Sequence, residues 1–273
     1  MCHLLEVTRS NYYHWLRSTC PKPDVLLESL IAKVFKASRE TYGTRRIKKR
    51  LLQIEGLIIS RRRIAKIMKQ LRLRSRSKRK FRVTTTNSKH THAIAPNRLK
   101  RQFSTTAPDL IYVGDITYIP TQQGWLYLAT VIDLYSRKVV GWAMDKRMTT
   151  SLVNNALLMA IKTRRPASGL IFHSDRGIQY ASTAHKQLLK EYGFIQSMSR
   201  KGNCWDNAVA ESFFHSLKTE LTHHMKFETR SQANQAIFDY IEIFYNRQRL
   251  HSTNNYMSPV DFENQLLHMD TSA

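Results

Sequence analysis

The sequence is poor in the features that would place it in a membrane or outside the cell. It has no run approaching the roughly 18–20 apolar residues a membrane-spanning helix needs. It does not start with a charged stretch followed by an apolar run, so no signal peptide is expected. Its three cysteines (Cys2, Cys20 and Cys204) are far apart and make no CxxC pair, which excludes a disulfide framework and fits a reducing cytosol. Acidic residues are scarce in the first part of the chain. Residues 1–104 hold 5 Asp and Glu against 27 Lys and Arg. The other residues are nearly balanced, although the whole chain carries +24. Such a cationic arm binds polyphosphate by Coulomb attraction and counterion release. It has no aromatic amphipathic face for a lipid surface, so the expected partner is nucleic acid.

The 273 residues are enough for about two domains and a sizeable core. Residues 1–20 read as a partial helical unit that lacks a front half, ended by Pro21 and Pro23. Residues 24–73 read as a helix-turn-helix DNA-binding domain. Leu26, Leu27, Leu30, Ile31, Val34 and Phe35 recur at helical spacing, and Ile47, Leu51, Leu52 and Ile54 form a second stripe stopped by Gly56. Ser60 is the expected N-cap of a third helix, with Ile64, Ile67 and Met68 inward and Arg61, Arg62, Arg63, Lys66 and Lys69 outward. An ordinary three-helix bundle with a solvated basic face is the alternative. Residues 74–104 lose periodicity and read as a basic linker.

From residue 105 the pattern changes. Residues 110–119, 125–134 and 138–144 read as three antiparallel strands. A helix (151–163), a strand (170–172), a helix (182–192), a strand (194–198) and a helix (207–221) follow. That order is the order of an RNase H-like α/β fold, a mixed sheet with flanking helices, over 105–225. Residues 226–273 read as a C-terminal helical extension containing a helix over 231–245.

Three acidic residues stand where such a fold could bring them together: Asp115 within the first strand, Asp175 after the fourth, and Glu211 in the last core helix. At about 100° per residue, Ala210, Phe213, Phe214, Leu217 and Leu221 form an apolar arc, with Glu211, His215 and Lys218 along its flank. Glu211 should therefore border the core and stay open to substrate, and Lys218 is placed for a DNA phosphate. Phosphodiester chemistry has a use for clustered carboxylates. Two hard cations about 3.5–4 Å apart activate a nucleophile and stabilise the leaving oxygen, and Mg2+ or Mn2+ prefers oxygen ligands. Without cations the carboxylates would raise one another's pKa. Spacing alone is weak evidence, because a lone strand Asp or a first-turn Glu is commonplace.

The surrounding motifs are more specific. Gly114-Asp115-Ile116-Thr117-Tyr118-Ile119, Gly124-Trp125-Leu126-Tyr127-Leu128 and Val131-Ile132-Asp133-Leu134-Tyr135-Ser136-Arg137 precede His173-Ser174-Asp175-Arg176-Gly177-Ile178-Gln179-Tyr180. Lys201-Gly202-Asn203-Cys204-Trp205-Asp206-Asn207-Ala208 then runs into Ala210-Glu211-Ser212-Phe213-Phe214, and Tyr245-Asn246-Arg247, Arg249 and His251-Ser252 close the set. Across essentially the whole chain this resembles bacterial insertion-sequence transposases of the orfB type, from elements with two overlapping reading frames and a retroviral-integrase-like DDE core. Tyr112 stands where the family commonly has Trp.

The resemblance implies metal-dependent cleavage of the element's ends and strand transfer into target DNA, with no covalent protein–DNA intermediate. Asp115 would bridge two Mg2+ (or Mn2+) ions, and Asp175 and Glu211 would each hold one. Expected DNA contacts are Arg61, Arg62, Arg63, Lys66, Lys201, Asn203, Lys218 and Arg247. Expected partners are terminal repeats, target DNA, further copies of the chain in a synaptic multimer and, by frameshift fusion, the upstream frame's product. The expected location is the bacterial cytoplasm, at the nucleoid. The two-His, two-Cys zinc module of retroviral integrases is absent, since there is no CxxC. His173 and Asp133 are expected to be structural, and Asp206 with Asn207 to cap the last core helix. A DNA-binding regulatory product without autonomous catalysis, and a stand-alone ribonuclease H, are the competing readings.

Overall fold

The computed structural model describes residues 8–17, 24–76, 92–200 and 204–270. The chain divides into two compact units, Met1–Arg76 and Ser77–Ala273.

The first unit is helical: α1 (Arg9–Arg17), α2 (Val25–Ala37), α3 (Thr44–Glu55) and α4 (Arg61–Gln70). Asp24 caps α2 by accepting from the Leu27 amide, and Leu27, Ile31, Val34 and Phe35 turn inward. Gly56 closes α3 at φ 65°, its N–H returning to the Leu51 and Leu52 carbonyls. Ser60 caps α4 through the Arg63 amide, and Ile64, Ile67 and Met68 are buried. The Gly56 and Ser60 caps are those expected from the sequence, but Leu26, Leu52 and Ile54 of the expected apolar stripes are exposed, because the buried arc of each helix is narrower than its run of apolar residues.

The second unit is built on a five-stranded mixed sheet of order β3-β2-β1-β4-β5. Strands β1 (Ile111–Thr121), β2 (Gly124–Asp133) and β3 (Val139–Asp145) form an antiparallel meander, and β4 (Ile171–Ser174) and β5 (Ile195–Met198) add parallel to it. Helix α5 (Thr150–Arg164) joins β3 to β4, and α6 (Ile178–Ala181) and α7 (Thr183–Glu191) join β4 to β5. A 3-10 turn (Cys204–Asn207) leads into α8 (Ala208–Glu220). Alternation along β2 sorts the core. Leu126, Leu128 and Ile132 pack with Phe213, Phe214 and Leu217 of α8, whereas Ala129 and Val131 pack with Leu152, Ala156 and Leu157 of α5. No helix among the described residues is long and apolar enough to cross a membrane.

Two stretches pack more intimately than their composition suggests. Residues 77–91 of the expected linker lie outside the described residues, but 92–104 run against the second unit. Leu99 is buried in the same cluster as β1, β2 and α8. Ser197 Oγ accepts the Arg98 and Leu99 amides at 2.9 and 3.4 Å. Leu99 anchors the strap together with Phe103, which packs against the same cluster, and a fully buried Leu contributes about 1.5–3 kcal/mol.

Residues 227–245 likewise share the core. Helix α9 (Arg230–Phe238) and the π-helical turn that continues it (Asp239–Tyr245) place Ala233, Ile237, Tyr240, Ile241, Phe244 and Tyr245 in that cluster. The Asn246 amide donates to the Val139 carbonyl and its oxygen accepts the Val139 N–H, both at 3.0 Å. Arg249 is buried against Glu220, at 2.7 Å from Oε1. Helix α10 (Pro259–Asp270) is held by Glu263, which reaches Ser136, Lys138 and Arg164.

Candidate active site

Register brings the first two carboxylates together. Gly114 on β1 pairs with Ser174 on the parallel strand β4, so Asp115 and Asp175 are the next residues on neighbouring chains. Both line a small cleft with Ile116, Met148, Gly177, Gln179 and Tyr180. Gly114 is needed for close approach: a Cβ there would stand 2.5 Å from Phe172 Cζ and 3.3 Å from Tyr180 Cε1. Asp175 Oδ1 accepts the Gly177 amide at 2.9 Å, folding the loop back over its own carboxylate.

The electrostatics follow from this packing. The Asp115 carboxyl is held well above its usual range, first by burial and then by the Asp175 charge, with the Ile116 N–H opposing. Glu211 adds a weaker repulsion. Glu211 lies in the first turn of α8 and is exposed, and partial desolvation raises its carboxyl too. The Tyr180 hydroxyl is pushed well up by burial and by the two aspartates, so it stays protonated. Lys218, two turns along α8, stands over the Tyr118 ring at 4.9 Å and is close enough to Asp115 for the two charges to interact. Among the described residues, no three His, Cys, Asp or Glu side chains stand close enough to hold one ion. Asp115 and Asp175 share the cleft, whereas Glu211 on α8 is not among its lining residues and reaches Asp115 only through a weak charge repulsion.

Other residues singled out from the sequence have structural surroundings. His173 is fully buried, with Nδ1 2.8 Å from Ser197 Oγ and Nε2 3.2 Å from Ser199 Oγ, and burial lowers its pKa to about 4. Asp133 is buried and accepts the Asp109 and Tyr135 amides, and burial raises it to about 6. Asp206 does not cap α8. The N-cap is Asn207, whose side chain makes no capping bond. Asp206 instead accepts from the Arg200 and Arg101 side chains and from Asn97, at 2.8–3.0 Å. Two guanidinium groups outcompete one helix amide for a carboxylate, and the Arg200 bond in particular drives its pKa far down.

The expected DNA contacts divide in three. Arg61, Arg62 and Lys66 are exposed on α4, and Arg247 is exposed after the π-helical turn. Arg63, also exposed, donates to Asp24 at 2.7 Å. Lys201 and Asn203 lie outside the described residues. Sequence reasoning assigned no role to Gln179 and Tyr180, which line the cleft. Their signal was position, a few residues beyond Asp175. Nor did it foresee that Asn246, Arg249 and His251 of the C-terminal signature would be buried.

Comparison with known proteins agrees with this architecture. Residues 105–204 and 211–267 match two family models, each described as an integrase core domain, and residues 22–81 match one described as an HTH-like domain. An "Insertion element IS600 uncharacterized 31 kDa protein" of Shigella sonnei is 47% identical over 265 residues, covering 96% of this chain and 97% of that one. The transposase for insertion sequence element IS904 of Lactococcus lactis is 43% identical, covering 87% and 93%. Transposase InsF for insertion sequence IS3A of Escherichia coli is 39% identical, covering 98% and 94%. In fold, the chain resembles one in a simian T-cell lymphotropic virus intasome complexed with a PP2A regulatory subunit, at TM-score 0.50 and 18% identity over 85% of this chain and 74% of that one. An HTH-like segment, an integrase-type core and near full-length relatives together place this chain among the insertion-sequence transposases, enzymes that transfer DNA strands.

Proposed function

We propose that Asp115, Asp175 and Glu211 are the catalytic carboxylates and that they hold two divalent cations, Mg2+ or Mn2+. The observation carrying this reading is the adjacency of Asp115 and Asp175 on the β1–β4 pair, with the Asp115 carboxyl raised by burial and by its neighbour's charge. A partly buried pair of like charges requires neutralisation by protons or cations. The acidic donors are oxygen alone, which suits hard cations. Asp115, Asp175 and Glu211 would hold the ions through their carboxylate oxygens. When bound, the ions supply Lewis acidity that activates the attacking oxygen and stabilises the leaving one.

The chain's own residues do the positioning. Gly177 holds the Asp175 carboxylate in place through its amide. The packed Tyr180 and Met148 exclude bulk water from one side of the cleft. Lys218 puts a cation where a phosphate would lie. In the cleavage step water attacks the end phosphodiester and its P–O3′ bond breaks, leaving a 3′-hydroxyl on the element and a 5′-phosphate on the flank. In the joining step that 3′-hydroxyl attacks a target phosphodiester and displaces the target's 3′-oxygen.

On this reading residues 24–73 bind the element's ends and 105–225 carry the chemistry. Arg61, Arg62, Arg63, Lys66, Lys201, Asn203 and Arg247 contact DNA. A homo-multimer synapses two ends at the nucleoid, with the upstream frame's product supplied by fusion. The deciding experiment is strand transfer on the element's own ends in Mg2+, with the chain alone and fused to that product. Asp115→Asn, Asp175→Asn and Glu211→Gln should each abolish joining and leave DNA affinity nearly intact. An Asp115→Asn protein that joins at the wild-type rate sinks the assignment.

A further inference from the structure

Beyond the carboxylates, β1 carries an aromatic step. Trp125 at the start of β2 is 49% exposed and packs edge-on with Tyr118, ring centroids 4.8 Å apart. The Tyr118 hydroxyl is buried with no hydrogen-bond partner. Lys218 stands over the same Tyr118 ring, within charge-interaction range of Asp115. Arg230 Nε donates to the Trp125 backbone carbonyl at 3.1 Å, which ties a second cation to the start of β2. A large exposed indole packed on a tyrosine with an unmet hydroxyl, with Lys218 over that tyrosine and Arg230 on the tryptophan's backbone, is the composition of a nucleobase-stacking platform.

We propose that Trp125, supported by Tyr118, stacks an unpaired base of the DNA end. Tyr118 is three residues from Asp115 along β1, about 10 Å between their backbones, and the odd spacing turns the two side chains to opposite faces of the strand. A base inside an intact duplex has both faces covered by its neighbours, so stacking on Trp125 requires the end to fray. The platform would hold the frayed strand while Lys218 engages its phosphate. The distance to the cut rests on the reading that Asp115 marks the reacting phosphodiester. The stacking itself does not.

The test uses the full chain and a duplex of the terminal repeat carrying 2-aminopurine at each of the last few positions in turn. Wild type should quench the fluorophore at one position near the cut. Trp125→Phe should retain the quenching, and Trp125→Ala should lose it and bind the end roughly 5- to 150-fold more weakly. Mismatching the terminal base pairs should restore part of the joining lost in Trp125→Ala. Asp115→Asn should quench like wild type, so failure of the catalytic assignment would be seen separately. Trp125 is exposed, and a matching thermal melt would show that Trp125→Ala folds. Equal quenching by wild type and Trp125→Ala, or none by wild type at any position, overturns the proposal.

Discussion

Asp115 and Asp175 each follow one member of a register pair, Gly114 and Ser174, on the parallel strands β1 and β4. The adjacency is a property of the sheet, which is why 59 intervening residues do not loosen it. It also makes the site electrostatically costly. Asp115→Asn should therefore raise the melting temperature in metal-free buffer while abolishing joining, since it removes a partly buried like charge. Mg2+ or Mn2+ should stabilise wild type and leave the variant nearly unchanged. Scanning calorimetry with and without metal measures both, and a variant that melts below wild type in chelator would contradict the charge argument.

Acid should weaken the second unit through its buried histidines. Burial lowers His173 and His185 to about 4 from an ordinary 6.5. The unfolded chain takes up protons near pH 6.5, whereas the native one refuses them until about 4. Stability is thus fully present above 6.5 and lost as pH falls toward 4, with a ceiling of ~3 kcal/mol per histidine. Asp133, raised to about 6, acts with the opposite sign: its strain is relieved as pH falls below that value. Urea midpoints across this range should fall with acid in wild type and fall less in His185→Leu. An identical slope in the two proteins would remove His185 from the account.

The buried pair of Arg249 with Glu220 predicts an asymmetric mutational pattern. Arg249 donates to Glu220 through Nε and Nη2, and the Tyr240 hydroxyl donates to the same carboxylate. Arg249→Met alone should cost about 3–5 kcal/mol, because it strands a buried carboxylate. Adding Glu220→Gln should recover much of that loss. Equilibrium denaturation of the three proteins tests it, and a negligible cost for the single variant would count against burial of the pair.

Leu99 gives a third test of the fold. Leu99→Ala should destabilise the second unit by about 2–5 kcal/mol, as for a buried leucine elsewhere. A version beginning at residue 105 should be less stable still. If neither differs from wild type in chemical denaturation, the strap does not anchor.

On α4, Arg61→Gln with Arg62→Gln should weaken DNA binding and flatten its salt dependence, since both side chains are exposed. Arg63→Gln should do less, because Arg63 already shares its charge with Asp24. Fluorescence anisotropy against salt concentration reads the slopes. Equal slopes for the double variant and wild type would take α4 out of the interface.

The sequence by itself determined what depends on neighbours along the chain. Caps at Ser60 and Gly56, the stripes of α2 to α4 and the strand–helix order of the core are local patterns, written in side-chain periodicity and backbone preference. The motifs around Asp115, Asp175 and Glu211 also pointed to the family. Tertiary structure decided what depends on residues far apart in the chain. It set the register that seats Asp175 beside Asp115, and it exchanged a helix cap for Arg101 and Arg200 at Asp206. It also drew Leu99 and residues 227–245 into the core. Periodicity shows that a residue has an apolar or charged face. Which distant surface covers that face is settled only when the chain closes, by burial and charge pairing across many intervening residues.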